Sequence, residues 1–301
     1  MRKFHTKVAV FSGTVLITIL AYFQLADGYA DPYYLRLTSP LQHNLILGTS
    51  RAAQGLRPDV LDTILGTQMY NFAFTLGHSP YGPTYLRRIE EKISPLASDG
   101  SYLVAVDPWA LSVRGGDPLD SLSFPEREYF LGRVHSVNAS PNYDYLINHY
   151  DQPYTDLLLR RWRAASYLHA DGWLEVNPPM DVTSAARRHD KKIREYRASA
   201  PEYQLSEVRI GSLVRTLNLL RRHGRVYLVR LPTHHELYTL EQERFPEFDR
   251  LVRKRFLPLA EGYLDLMPRT YEFRYTDGNH LYRESAREVS RMVGEWMACS
   301  H

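Results

Sequence analysis

The chain has 301 residues, which is enough for one large domain or two modest ones. Hydrophobic residues make up 44% of the composition and charged residues 24%, values typical of a globular protein with a sizeable core. The net charge is only +3 and residues of both signs are interspersed, so nucleic acid is not expected as the main partner. A single cysteine excludes an intrachain disulfide framework.

The N-terminal segment is the least polar part of the chain. Residues 1–7 include Arg2, Lys3 and Lys7, and residues 8–26 then contain no charged side chain. A bilayer core needs about 20 apolar residues in a helix, so residues 8–26 predict a transmembrane anchor. The basic residues before the span predict that residues 1–7 stay in the cytoplasm while the following domain is exported. The alternative is a signal peptide cleaved near residues 28–30, although the apolar stretch is long for a signal core.

Beyond this segment, short apolar runs alternate with amphipathic stretches. The predicted strands cover residues 43–47, 69–74 and 102–106, and the predicted helices between them cover residues 58–65 and 81–93. This β-α-β-α-β order predicts an α/β fold whose parallel strands are joined by right-handed crossovers.

The alternation is lost over residues 109–204, a stretch with many tyrosines and two basic clusters, which we interpret as an insertion or cap. It returns with predicted helices at residues 207–222, 245–260 and 281–297 and predicted strands at residues 225–231 and 263–267. The sequence therefore predicts one domain over residues 40–301, interrupted by the insertion.

Ser50 ends the tripeptide GTS at the carboxyl end of the first predicted strand, where α/β sheets keep their chemistry. A serine at this place can also be a simple helix cap. Near the other end of the chain, the sequence DGNH places Asp277 three residues before His280, so that the carboxylate can reach Nδ1 and leave Nε2 free. Together the two motifs predict Ser50 as a nucleophile, His280 as its base and Asp277 as the residue that orients His280.

Ser79 is the competing nucleophile, because GHS at residues 77–79 is the other G-x-S in the chain. Neither serine is followed by the closing glycine of a G-x-S-x-G elbow, so an ordinary α/β-hydrolase is not expected.

The GTS and DGNH motifs resemble the first and last blocks of the SGNH hydrolase superfamily, which includes the GDSL-like enzymes. The resemblance implies a three-layer α/β/α sandwich of flavodoxin-like type, with Ser50, His280 and Asp277 in the catalytic roles given above. An exported domain behind an N-terminal anchor is also similar to the D-alanyl transfer protein of teichoic acids and to the alginate O-acetylation proteins.

This resemblance implies an esterase or O-acyltransferase that forms an acyl-enzyme on Ser50, tethered to the outer face of the inner (cytoplasmic) membrane. The implied partners are an acyl donor, an envelope polysaccharide and a membrane-bound O-acyltransferase. No cofactor and no metal are expected. The alternative is a non-catalytic subunit of envelope polysaccharide assembly or acylation that keeps the fold.

The chain departs from the superfamily at the oxyanion hole, for which the family's middle blocks supply a glycine and an asparagine. Here the second predicted strand leads from Asn71 to Gly77, and the third ends at Asp107-Pro108 without a Gly-x-Asn sequence. We expect Gly77, through its backbone N–H, and Asn71 to lie on the oxyanion or substrate side, and Asp107 to be structural. The side-chain amide that would donate to the oxyanion is missing from its expected place, which favours the non-catalytic alternative.

Arg51, next to Ser50, is predicted either to hold an anionic group or to lie on the surface. His234 and His235 precede Glu236 at the end of the fourth predicted strand, and adjacent residues of an extended chain point to opposite sides. We therefore expect His234 to contact substrate or solvent, not a metal. Four aromatic residues of the insertion could stack on sugar rings, although core packing is favoured: Tyr143, Tyr145, Trp162 and Trp173.

Overall fold

A computed structural model describes residues 1–300 of the chain. Its helices, in chain order, are α1 (Arg2–Phe23), α2 (Tyr34–Thr38), α3 (Ser50–Gly55), α4 (Pro58–Leu65), α5 (Pro83–Lys92), α6 (Phe130–Arg133), α7 (Tyr143–Asn148), α8 (Asp156–Leu159), α9 (Val182–Ser199), α10 (Glu207–Leu220), α11 (His235–Arg244), α12 (Phe248–Leu251) and α13 (Arg283–Cys299). Its strands are β1 (Asn44–Leu47), β2 (Met69–Asn71), β3 (Gly100–Ala105), β4 (Ser112–Arg114), β5 (Ser166–Leu168), β6 (Leu174–Val176), β7 (Tyr203–Leu205), β8 (Gly224–Arg230) and β9 (Gly262–Asp265).

Five strands form one parallel sheet in the order β2-β1-β3-β8-β9, which confirms the predicted α/β class. Leu45 of β1 pairs with Tyr70 of β2 on one side and with Tyr102 of β3 on the other. From β1 the chain first adds β2 on one side of β1, and it then crosses over to add β3 on the other side. Such a reversal leaves a crevice beyond the carboxyl ends of the two central strands, and Ser50 follows β1 directly into it.

Both faces of the sheet are covered, because successive side chains of a strand point to opposite faces. Leu45 and Leu47 belong to a hydrophobic cluster that includes side chains of α5 and α10. Ile46, between them, belongs to a second cluster with side chains of α3, α4 and α13. Proline at the first position starts α4 and α5, and the Ser206 hydroxyl caps α10 by accepting the N–H of Arg209.

The predicted helix over residues 245–260 is confirmed over residues 248–259, which form consecutive α-, π- and 3₁₀-helical segments. A separate regular helix that was not predicted, α11, precedes it and ends before Pro246. Phe245, the residue before Pro246, has a non-helical conformation with φ −132° and ψ 60°, because a following proline disfavours the helical region, and α11 therefore ends there.

The segment of residues 109–204 forms two small antiparallel pairs, β4 with β7 and β5 with β6, and the long helix α9. Tyr145 and Trp173 are buried, as core packing requires, and their polar atoms reach the Asp31 carboxylate and the Gln54 carbonyl. Trp162 is instead 72% exposed, so core packing is wrong for this residue.

The N-terminal helix α1 is the one helix among residues 1–300 that is long and apolar enough to cross a membrane. Most of α1 is exposed, but its last residue, Phe23, is buried against the rings of Tyr143 and Tyr154. The Tyr22 hydroxyl also donates to the Tyr154 carbonyl at 2.8 Å. The end of α1 is thus attached to the folded domain through the region of α7 and α8.

Candidate active site

Ser50 is the first residue of α3 and lies immediately beyond the carboxyl end of β1. The turn between the two elements is tight: a Cβ on Gly48 would lie 2.8 Å from Cβ of Ala52 and 3.0 Å from Cβ of Ala105. Only glycine fits at this close approach, so Gly48 sets the direction in which Ser50 leaves the sheet. The side chain of Ser50 is partly exposed and can be reached from solvent.

Ser50, His280 and Asp277 lie in one hydrogen-bonded line, which confirms their predicted geometry. The Ser50 hydroxyl donates to Nε2 of His280 at 2.8 Å. On the other side of the ring, Nδ1 of His280 lies 3.1 Å and 3.0 Å from the two carboxylate oxygens of Asp277. With Nδ1–H donating to Asp277, Nε2 is the nitrogen that can take the serine proton.

The loop between β9 and α13 holds the carboxylate of Asp277 in place. Oδ1 of Asp277 accepts the backbone N–H groups of Asn279 and His280, both at 3.0 Å. Gly278, between them, has a φ of +84°, a left-handed conformation that glycine adopts without strain. Burial opposes the charge on Asp277, but His280, these N–H groups and Lys192 outweigh it and hold the pKa of Asp277 well below its usual value.

Helix α9, in the predicted insertion, packs on this same loop. The guanidinium Nε of Arg188 donates to the Thr276 carbonyl at 2.8 Å, and Nζ of Lys192 lies 3.9 Å from Oδ2 of Asp277. Residues 109–204 therefore contribute to the surroundings of the triad.

Asn279 is a site residue that sequence reasoning missed. Its amide Nδ2 lies 3.1 Å from Nε2 of His280, the same nitrogen that accepts the Ser50 hydroxyl. Its Oδ1 accepts from Nε of Arg51 at 2.9 Å, and because Arg51 can only donate, this contact fixes which way the amide points. The position was visible within the DGNH motif, but nothing in the motif indicates that the amide points toward Nε2 of His280.

The prediction that Arg51 lies on the surface is wrong, and its pairing with a buried carboxylate leaves the predicted contact with an anionic substrate group without support. Its side chain is buried, with Nη2 2.6 Å from Oε1 of the fully buried Glu241. Glu241 also accepts from Arg230 at 2.9 Å and from the Trp109 indole at 2.8 Å. The carboxylate of Glu241 compensates the charge of the buried guanidinium, and Nε of Arg51 positions Asn279.

Asn71 is not on the oxyanion side, and that prediction is also wrong. Its amide donates both hydrogens to backbone carbonyls, of Ala52 and Leu56, each at 2.9 Å, and its Oδ1 accepts the N–H of Ala73. No amide hydrogen is left for a substrate. The side chain instead ties the end of β2 to α3, the helix that begins with Ser50.

Gly77 lies in an exposed turn, where a Cβ would meet only Thr75 and Tyr129. Its predicted role as a backbone oxyanion donor remains a prediction. Ser79 is fully buried, and its hydroxyl donates to the Gly48 carbonyl at 2.8 Å and accepts the N–H of Phe74. Its bonds are to the backbone, which makes Ser79 structural.

Asp107 is buried and accepts the N–H of Ala110, as a structural aspartate should.

His234 lies beside the triad loop, since its backbone N–H donates to the Gly278 carbonyl at 2.8 Å. Its ring faces His189 of α9, with Nδ1 3.0 Å from Nε2 of that residue. Burial, together with the neighbouring His189 and His235, lowers the pKa of His234 to about 4. Contact of His234 with substrate remains a prediction.

The three aligned groups have the arrangement that acyl transfer to a serine requires: a nucleophile, a base within hydrogen-bond reach and a third group that orients the base. The site is polar, partly open to solvent and backed by the buried pair of Arg51 and Glu241. Comparisons with known proteins add no assignment: no protein-family model matches the chain, and no curated protein is significantly similar to it.

Proposed function

We propose that the protein is a membrane-anchored serine esterase or O-acyltransferase of the SGNH type that acts on O-acyl groups of a cell-envelope polysaccharide. The observation that carries this proposal is the hydrogen-bonded line from Ser50 through His280 to Asp277 at the switch point of a parallel sheet. A three-layer α/β/α sandwich is consistent with the helices in the two clusters on opposite faces of the sheet.

In the first half of the reaction, Oγ of Ser50 attacks the carbonyl carbon of an ester while Nε2 of His280 takes the hydroxyl proton. The tetrahedral intermediate collapses, the bond to the leaving alkoxide breaks, and His280 returns the proton to that oxygen. In the second half, a sugar hydroxyl or water attacks the acyl-enzyme by the same route, so Ser50 regains its proton. Asp277 stabilises the imidazolium that forms in both halves.

Asn279 is the candidate for the side-chain oxyanion donor that the middle of the chain lacks. In the resting site its amide is within 3.1 Å of Nε2 of His280. Once Nε2 carries the serine proton it can no longer accept, and the amide becomes free to donate to the new oxyanion. The backbone N–H of Ser50, at the first position of α3, is the second candidate donor. An interaction of this kind is gained in the transition state and so accelerates the reaction.

Attachment to a membrane is supported by α1 and by the surface next to its end. Arg161 pairs with Asp27, just beyond α1, at 2.8 Å, and its neighbours Leu158, Leu159 and Trp162 are exposed. An apolar patch with basic residues suits the headgroup region of a bilayer. We propose that the domain sits close to the outer face of the inner membrane, where it would meet a membrane-embedded acyl donor system and the polysaccharide.

The test uses full-length protein in detergent, a fluorophosphonate probe and an aryl acetate. Wild-type protein should be labelled and should turn over the ester, and Ser50→Ala should abolish both because no other atom replaces the attacking oxygen. Ser98→Ala, at an exposed position, is the matched control and should behave as wild type. Each variant is compared with wild type by thermal unfolding.

Turnover that survives in Ser50→Ala would refute the proposed nucleophile. Folded wild-type protein that is neither labelled nor active would favour the non-catalytic assembly subunit. That second reading gains strength if cells expressing Ser50→Ala still modify their envelope polysaccharide normally.

A further inference from the structure

His189, His234 and Glu236 form a cluster of metal-ligating side chains on the edge of the candidate active site. The nitrogen and oxygen atoms that they offer all lie within 4.8 Å of one another. His189 comes from α9, whereas His234 and Glu236 come from the start of α11, so the cluster joins two separate parts of the chain.

The two rings point one nitrogen each at the same place. Nδ1 of His189 lies 3.2 Å from the Asp190 carboxylate, to which it can only donate, so in the neutral ring Nε2 is the nitrogen that can bind a metal ion. Nδ1 of His234 is an acceptor, since it caps α11 by accepting the backbone N–H of Glu236. Nε2 of His189 and Nδ1 of His234 are 3.0 Å apart, within hydrogen-bond distance, and a metal ion that binds both would displace the proton between them.

The third group supplies negative charge at the same place. Oε1 of Glu236 is 3.5 Å from Nε2 of His189, while Oε2 is held by Arg197 at 2.9 Å. Two nitrogens that each bind zinc at about 2.0–2.1 Å lie roughly 3–3.5 Å apart in a tetrahedral shell, which matches these distances. The Asp190 contact to His189 is the kind of outer carboxylate that orients histidine ligands of metals.

We propose that His189, His234 and Glu236 bind a divalent transition-metal ion, with Zn²⁺ the best match to two imidazoles and one carboxylate. All three residues are partly exposed, so a water molecule can complete the shell. Hard cations such as Mg²⁺ and Ca²⁺ prefer oxygen ligands and are not expected here.

The ion would connect α9 to the loop that carries Asp277 and His280. A Cβ on Gly278 would lie 2.8 Å from Cδ2 of His189 and 3.6 Å from Cβ of His234, so the cluster is packed directly against that loop. The ion acts here by positioning the loop. It is not required for the serine chemistry, and its binding is independent of the proposed function.

The experiment uses full-length protein in detergent, freed of any polyhistidine tag, stripped with a chelator and titrated with Zn²⁺ by calorimetry. We expect one Zn²⁺ per chain and a thermal unfolding midpoint that rises with Zn²⁺ concentration, because the ion binds the folded state. Co²⁺ in the same site should give the visible absorption of a tetrahedral complex. Ser50→Ala should bind Zn²⁺ as wild type does, which separates this result from failure of the triad.

His189→Ala and His234→Ala should each weaken Zn²⁺ binding by more than the roughly 10–100-fold typical of losing an outer-shell partner, and Glu236→Gln should weaken it less. His43→Ala, at an exposed histidine elsewhere, should leave affinity unchanged. Absence of stoichiometric binding to folded wild type would overturn the proposal. Equal affinity in the double variant His189→Ala/His234→Ala would do the same, and circular dichroism verifies that this variant is folded.

Discussion

Two parts of the molecule meet at the candidate active site and contribute to it differently. The loops at the carboxyl ends of β1 and β9 carry Ser50, Asp277 and His280, the groups that can exchange a proton and attack an ester. Helix α9 contributes Lys192, at 3.9 Å from Asp277, and a hydrogen bond from Arg188 to the triad loop. Under the proposed function, the sheet edge would supply the chemistry and α9 would support it from outside.

The largest effect is expected at the base. His280→Ala should lower turnover of an aryl acetate by on the order of 10⁴-fold, about 5 kcal/mol, because Ser50 then has no proton acceptor. The steady-state kcat of purified protein measures this loss, with His43→Ala as the matched histidine control. Retention of more than a tenth of the wild-type kcat would exclude His280 as the base.

Asn279→Ala tests the second group at the sheet edge. Loss of one oxyanion donor typically costs about 10²–10³ in kcat, or ~2.7–4 kcal/mol, and KM should change little because the contact is made in the transition state. Asn177→Ala, an exposed asparagine in the segment of residues 109–204, provides the comparison. A change in KM alone would assign Asn279 to ground-state binding.

Asn71→Ala tests whether the sheet edge also needs internal support. Removal of its three buried hydrogen bonds should lower the free energy of unfolding by roughly 2–4 kcal/mol, since the carbonyls of Ala52 and Leu56 lose their donors. Denaturant unfolding measures the loss, and Asn148→Ala, at an exposed position, should have little effect. A fall in kcat at unchanged stability would restore the oxyanion role that the structure contradicts.

The smallest effect is expected in α9. Lys192→Gln should reduce kcat/KM by about two- to fivefold, because a solvent-screened ion pair is worth at most about 1 kcal/mol. Lys191→Gln, at the adjacent and more exposed position, is the control. A loss as large as that in Asn279→Ala would break the distinction between the two regions and place α9 within the catalytic machinery.

The sheet and the triad geometry could be predicted because the sequence patterns that indicate them are local or repeat every few residues. The run Leu45-Ile46-Leu47 is buried on both faces, as a central parallel strand requires, and the three-residue spacing of Asp277 and His280 sets their contact. Pro58 marked the start of α4 correctly. Helix α11 was missed because its sequence, HELYTLEQER, has little apolar periodicity to reveal it.

The errors concern side chains whose partners are distant in the sequence. Arg51 was assigned to substrate or surface because its partner, Glu241, lies nearly two hundred positions away. Asn71 was assigned to the oxyanion because a free amide was assumed, whereas backbone carbonyls of α3 occupy both of its hydrogens. His234 faces a histidine of α9, which no reading of the HHE sequence alone could supply.

The sequence by itself determined the α/β class, the apolar N-terminal helix and the order along the chain of the main helices that follow the parallel strands. Hydrophobic periodicity and proline placement, which carry this information, act over a few residues. It also identified Ser50, Asp277 and His280 as groups to bring together. Only the tertiary structure decided that Arg51 orients Asn279, that Asn71 holds α3, and that His189 meets His234. Those contacts depend on how separate elements pack, because a buried polar group can pair only with the groups that the fold places beside it.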